Sequence, residues 1–164
     1  MSVGFVMLAH ASLGRASQVA RHLASHGCPV FIHVDKRTAD KEFDRLAELT
    51  RDVPLIRLLP RVACDWGTWS LVSASRSGAA DLLNAHPEVD HVFRMSGACL
   101  PIQPVPELID YLGRHTDTDF IESVTIRDVP WTKGGLSEER FTLSFPFAWK
   151  RQKRLFDFWV DLQR

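Results

Sequence analysis

The chain has 164 residues, 45% of them hydrophobic, enough for one domain with a buried core. Its 20 basic and 20 acidic residues cancel, so no electrostatic footprint argues for nucleic acid or an anionic membrane as partner. The three cysteines, Cys28, Cys64 and Cys99, lie in no metal-ligand spacing and suit free thiols in a reducing compartment.

Val3–Ala9, VGFVMLA, reads as a buried strand, with no basic leader before it and no stretch of membrane length. A polar turn at His10–Ser12 leads into Leu13–Ser25, where Leu13, Ala16, Val19, Ala20 and Leu23 recur at the helical period. Gly27 closes that helix and Pro29 opens a second strand, Val30–Val34, which ends abruptly on Asp35. Asp40–Thr50 is a second helix, apolar at Phe43, Leu46, Ala47 and Leu49. Val53–Leu59 is a third strand, followed by the loop Cys64–Ser70 and a long helix over Ser70–Ala85, capped by Thr68 or Ser70. His91–Met95, Val105–Arg114 and Phe120–Val124 follow as strand, helix and short strand, Pro104 and Pro106 opening the helix. The stretch Lys150–Arg164 reads as an amphipathic helix whose Leu155, Phe156, Phe158, Trp159 and Leu162 need something to pack on, as in the front part of a longer protein.

Strand and helix alternate throughout, which implies an α/β fold: a mostly parallel sheet with helices on both faces. Such sheets bind ligands outside the carboxyl ends of their strands. Three loops fall there: Asp35, the CDWGTWS segment Cys64–Ser70, and the MSGACLPI segment Met95–Ile102, where Gly97 gives backbone freedom. Other chemistries are missing. The turn after the first strand, AHASLGRAS, has one glycine and no dinucleotide fingerprint, and there is no Walker motif or G-x-S-x-G elbow. His22 and His26 sit four apart, but HLASH lacks the glutamate of a zinc protease.

The segments GFVMLAH, FIHVDKRT, WGTWSLVSA, FRMSGACLPI and FIES occur in the order and approximate spacing of one known family. In these residues the chain resembles the core-2/I-branching N-acetylglucosaminyltransferases and their peptide xylosyltransferase relatives, glycosyltransferase family 14, over its whole length. That resemblance implies a GT-A (Rossmann-like) fold and an inverting, metal-independent enzyme that transfers GlcNAc or xylose from a UDP-sugar to an acceptor hydroxyl. By the same resemblance Asp35 accepts a hydrogen bond from the uracil ring, and the main chain at His10 lines that pocket. Trp66 lies near the nucleotide-sugar, and Ser96 and Gly97 border the sugar and diphosphate. A carboxylate suits a ring N–H because charge-assisted bonds are the stronger ones.

Most GT-A enzymes hold a divalent cation with an Asp-x-Asp after the fourth strand; here that place reads Ser96-Gly97-Ala98-Cys99, with no carboxylate. The literal DTD at Asp117–Asp119 precedes the fifth strand and reads as a turn. The resemblance implies that no metal or other cofactor is needed, the UDP-sugar being a co-substrate, and the missing motif is consistent with that. Basic side chains neutralise the leaving diphosphate instead, with Lys133, Arg140 and the Lys150–Arg154 cluster as candidates. Glu122, Lys133 and Arg140 are the acceptor or diphosphate candidates. Members of that family usually carry an acidic residue where Cys99 stands and a basic one where Gln103 stands, so the resemblance does not carry over the sugar or acceptor contacts of this loop.

The catalytic base, a glutamate in the family, is expected past Arg164, so no catalytic residue is assigned. Residues 1–126 are read as the nucleotide-sugar-binding core and 127–164 as an acceptor-side loop and helix. The partners expected are a UDP-sugar and a glycan or other hydroxyl acceptor, without nucleic acid. With no anchor in the chain, a bacterial cytoplasmic enzyme is expected, at most peripheral to the membrane, with membrane association reserved for a longer form. The rival readings are a non-catalytic nucleotide- or glycan-binding module of the same fold, and a nucleotidyltransferase, which would need a metal-binding acid pair.

Overall fold

A computed structural model describes residues 2–65, 68–121, 125, 126 and 128 of the chain. In chain order the elements are β1 (Val3–Ala9), α1 (Leu13–Ser25), β2 (Val30–Val34), α2 (Asp40–Thr50), β3 (Ile56–Leu58), α3 (Trp69–Ala85), β4 (His91–Ser96) and α4 (Val105–Gly113). All belong to one compact unit, Met1–Thr118; Asp119–Arg164 forms a second. The four strands make one parallel sheet in the order β3-β2-β1-β4.

Two-residue alternation sorts the strands onto two faces. Val3, Phe5, Met7 and Ala9 of β1 join Val30, Ile32 and Val34 of β2 in a core with α1, α2 and α4. On the other face Val6 and Phe31 pack with Leu59, Leu82 and Val89 beneath α3. The register fits this division, pairing Phe5 with Val30 and Val6 with Phe31. Both faces of β1 and β2 are thus buried, which explains their nearly continuous apolar runs. Leu82 is wholly buried, worth about 1.5–3 kcal/mol of transfer free energy. It can seat so deeply because α3 lies close to the sheet at Gly78, where a Cβ would stand 2.8 Å from Leu59 Cδ1 and 2.9 Å from Val6 Cγ1.

The elements differ from the sequence reading mainly at their ends. The third strand keeps only Ile56–Leu58, because Val53–Ile56 closes a turn in which Ile56 N donates to Val53 O at 3.0 Å and Pro54 has no N–H to pair. The third helix starts one residue early, at Trp69, with the Thr68 hydroxyl accepting from Ser70 N as its cap. β4 runs one residue further, to Ser96, and α4 stops one residue sooner, at Gly113. In the expected fifth strand, Phe120 and Ile121 are not extended into a sheet, and Glu122–Val124 lie outside the described residues. The helix expected at Lys150–Arg164 also lies outside them.

The strand order places a switch point between β1 and β4: the chain moves outward from β1 through β2 and β3, then returns to β4 on the other side of β1. At such a point the connections leave in opposite directions and open a crevice at the carboxyl edge.

Candidate functional site

A cavity of about 440 Å³ opens at the carboxyl ends of β1 and β2, on the face that α3 covers. Leu8, Ala9 and His10 line it from β1, His33, Asp35, Arg37 and Thr38 from β2 and its following loop, Cys64 from the β3–α3 loop, and Leu71 from α3. The sheet alternation explains the set. His33 is paired with Leu8 and shares its face with Phe31, so the strand that buries Phe31 under α3 brings His33 and Asp35 to the cavity.

Asp35 is buried, its side chain 11% exposed. Four N–H groups converge on its carboxylate. Oδ1 accepts from the Arg37 main chain at 2.8 Å and from Arg37 Nε at 3.1 Å. Oδ2 accepts from Arg37 Nη2 at 2.9 Å and from Cys64 N at 3.1 Å. The Arg37 guanidinium bonds are the main reason that the carboxyl is held well below the usual carboxylate range; the main-chain N–H groups add to them, and burial opposes. Asp35 is therefore a fixed negative charge at neutral pH. Arg37, itself pushed upward by Asp35 and Asp65, also reaches Asp65 at 2.9 Å and the Cys64 carbonyl.

His33 is held differently. The Val62 main-chain N–H donates to its Nε2 at 3.1 Å. Burial lowers its pKa, with the Asp35 charge opposing, so the ring is neutral at neutral pH. Burial also raises the Cys64 thiol, and Asp35 pushes it the same way.

Arg61 braces the loop that carries these groups. With its side chain 15% exposed, it bonds Asp40 at 2.7 Å and donates to the carbonyls of Asp35, Lys36 and Thr38. Its guanidinium also lies over the Phe43 ring, 4.8 Å from the centroid. Thr38 ties the loop back to β1 by donating to the His10 carbonyl at 3.1 Å.

Of the residues singled out in the sequence, the structure brings His10 and Asp35 together at the cavity. Ser96 and Gly97 stand at the end of β4 but are not among the lining residues. Gly97 is there for space, and its φ is not positive. Its N–H donates to Leu8 O at 2.8 Å, and a Cβ would come within 2.9 Å of Ala9 Cβ and 3.4 Å of Ala16 Cβ. The Ser96 hydroxyl accepts from Ala98 N at 3.2 Å. Trp66, Glu122, Lys133, Arg140 and the Lys150–Arg154 cluster lie outside the described residues. Sequence reasoning passed over His33, Arg37, Thr38 and Leu71. For His33 a signal existed: it stands two residues before Asp35, hence on the same side of an extended chain.

Among the described residues no group of three His, Cys, Asp or Glu side chains is placed to hold a metal ion, and no helix is long and apolar enough to cross a membrane. Residues 3–146 match the family model described as Core-2/I-Branching enzyme. The chain belongs to this family. The family is one of glycosyltransferases, as the resemblance implied, and the parallel α/β sheet agrees with the fold expected of it. Relatives include a protein named Xylosyltransferase from Ciona intestinalis, 31% identical over 94 residues, covering 57% of this chain and 11% of the relative. Xylosyltransferase 1 of Homo sapiens and that of Pan troglodytes are each 29% identical over 124 residues, covering 74% of this chain and 13% of theirs. The chain thus spans only 11–13% of the length of these relatives. The expectation of a bacterial, cytoplasmic enzyme is corrected by them: the matched xylosyltransferases are animal proteins. Lack of an anchor in this chain was no ground for that placement, since the chain covers so little of its relatives.

Proposed function

We propose that the cavity beside Asp35 is the nucleotide pocket of an inverting, metal-independent glycosyltransferase with a GT-A fold. The enzyme transfers xylose or GlcNAc from a UDP-sugar to an acceptor hydroxyl, and residues 1–126 supply the donor side. The observation that carries the reading is the buried carboxylate of Asp35, met by four N–H groups, in a cavity at the carboxyl edge of a parallel sheet. A volume of about 440 Å³ falls within the range of small-ligand sites, about 300–1,000 Å³. Main-chain N–H groups of Arg37 and Cys64 fix the carboxylate, so it meets an incoming ring N–H without losing its orientation.

Metal independence is proposed from the end of β4, where Ser96-Gly97-Ala98-Cys99 offers no carboxylate to a cation on the diphosphate. Trp66, Ser96 and Gly97 remain proposed donor-side residues, and Glu122, Lys133 and Arg140 proposed acceptor or diphosphate contacts. The names of the relatives favour xylose as the sugar.

Calorimetric titration of UDP into the chain, with EDTA and with Mn2+, tests the reading. Saturable binding that is equal under both conditions and lost in Asp35→Ala is expected. Binding that requires Mn2+ overturns the metal-free mechanism; absence of binding overturns the pocket.

A further inference from the structure

His33 is buried, 4% exposed, yet it lines the cavity, and among the described residues only one of its two ring nitrogens is engaged. A main-chain N–H can only donate, so the bond from Val62 N fixes Nε2 as the acceptor and leaves the ring proton on Nδ1. Nδ1 has no hydrogen-bond partner among the described residues, and it is not one of the unpartnered atoms sealed from solvent. A buried N–H left open to a cavity is a donor awaiting an acceptor.

Two residues further along, Asp35 presents an acceptor to the same cavity. The Arg37 side chain now fills part of its capacity but is 58% exposed, and it has Asp65 and the Cys64 carbonyl as other partners. Once the guanidinium swings aside, the main-chain bonds from Arg37 and Cys64 leave each carboxylate oxygen one free lone pair. The cavity then offers a donor beside an acceptor. An imide edge, with a carbonyl next to a ring N–H, answers that pair.

We propose that His33 is a base-selecting residue whose Nδ1–H donates to a carbonyl oxygen of uracil beside Asp35. The inference rests on reading the cavity as a nucleotide pocket and goes beyond it by naming how the base is chosen. Cytosine fails on both counts in the orientation that turns its amino group to His33: donor faces donor, and the ring nitrogen's lone pair faces the carboxylate. Turned over, it still sets that lone pair against Asp35.

Two substitutions separate the donor from the structural bond. In His33→Gln the side-chain oxygen replaces Nε2 as acceptor for Val62 N–H, while nothing donates from the Nδ1 position. In His33→Asn the amide donates from the Nδ1 position and the bond to Val62 is lost. UDP and CDP are titrated calorimetrically into wild type and both variants, with thermal melts alongside. The wild type is expected to prefer UDP, His33→Gln to fold with that preference reduced about tenfold, and His33→Asn to melt lower but keep it. A folded His33→Gln with wild-type preference, or a folded His33→Asn without it, overturns the role of His33. If UDP binding nevertheless depends on Asp35, the pocket itself stands. Binding of neither nucleotide by the wild type overturns both.

Discussion

Arg37 closes on Asp35 from two directions, its main-chain N–H meeting Oδ1 at 2.8 Å and its guanidinium reaching both carboxylate oxygens at 3.1 and 2.9 Å. With Cys64 N these bonds use the four lone-pair directions that a carboxylate offers. The side chain of Arg37 therefore occupies the places that a base N–H would take. Arg37→Ala removes the two guanidinium bonds that compete for the carboxylate and is expected to tighten uridine binding by about tenfold. Uridine is the probe because it carries no phosphate to be attracted by the guanidinium. Weaker calorimetric binding by the variant would make Arg37 a ligand contact instead.

Replacing the carboxylate itself has a structural cost. Asp35→Asn sets an amide NH2 against at least one of the N–H groups that now point at the carboxylate, and a loss of about 1–3 kcal/mol is expected in urea unfolding. Because Asp35 is held below its unfolded value, its contribution is fully present above the ordinary carboxylate pKa, near 4, and fades as pH falls through the lower folded value. The variant's stability should accordingly fall less steeply than that of wild type below pH 4.

The opposite limb belongs to His33. Burial and the Val62 N–H favour its neutral ring, with the Asp35 charge opposing, so its folded pKa is lowered. The unfolded chain binds a proton near pH 6.5 that the native ring resists. Native stability from this group is present above that pH and declines as pH falls below it. Between pH 8 and 5.5 the wild-type melting temperature should drop further than that of His33→Gln. Parallel curves would show that the ring titrates alike in both states.

At Gly97 the limit is space. A methyl there meets Ala9 Cβ at 2.9 Å and Ala9 Cα at 3.4 Å, neighbours with no rotatable end to move aside. Gly97→Ala should cost about 1–3 kcal/mol, read from urea midpoints, by prising β4 from β1 and α1. A neutral substitution would show that the end of β4 yields freely.

Much of this architecture was legible in the chain. The apolar runs at Val3–Ala9 and Val30–Val34 have the length and β-branching of strands buried on both faces, and the stripe from Leu13 to Leu23 has the period of a helix. Val53–Leu55 misled because their apolar character serves a turn, which local composition does not distinguish from a strand. Asp35 stood out as a carboxylate closing an apolar strand. Its saturation by Arg37 and Cys64 did not, since Cys64 arrives from a loop 29 residues away. Gly97 was visible as a glycine, but its reason lies across the sheet in Ala9 and Ala16, contacts that exist only once β1 and β4 are paired.

The most direct measurement is a crystal structure of the chain with UDP bound. The uracil edge should lie on Asp35, its ring N–H on the carboxylate and a carbonyl on His33 Nδ1, with the Arg37 guanidinium turned away. A base bound elsewhere, with the four bonds to Asp35 intact, would contradict the account.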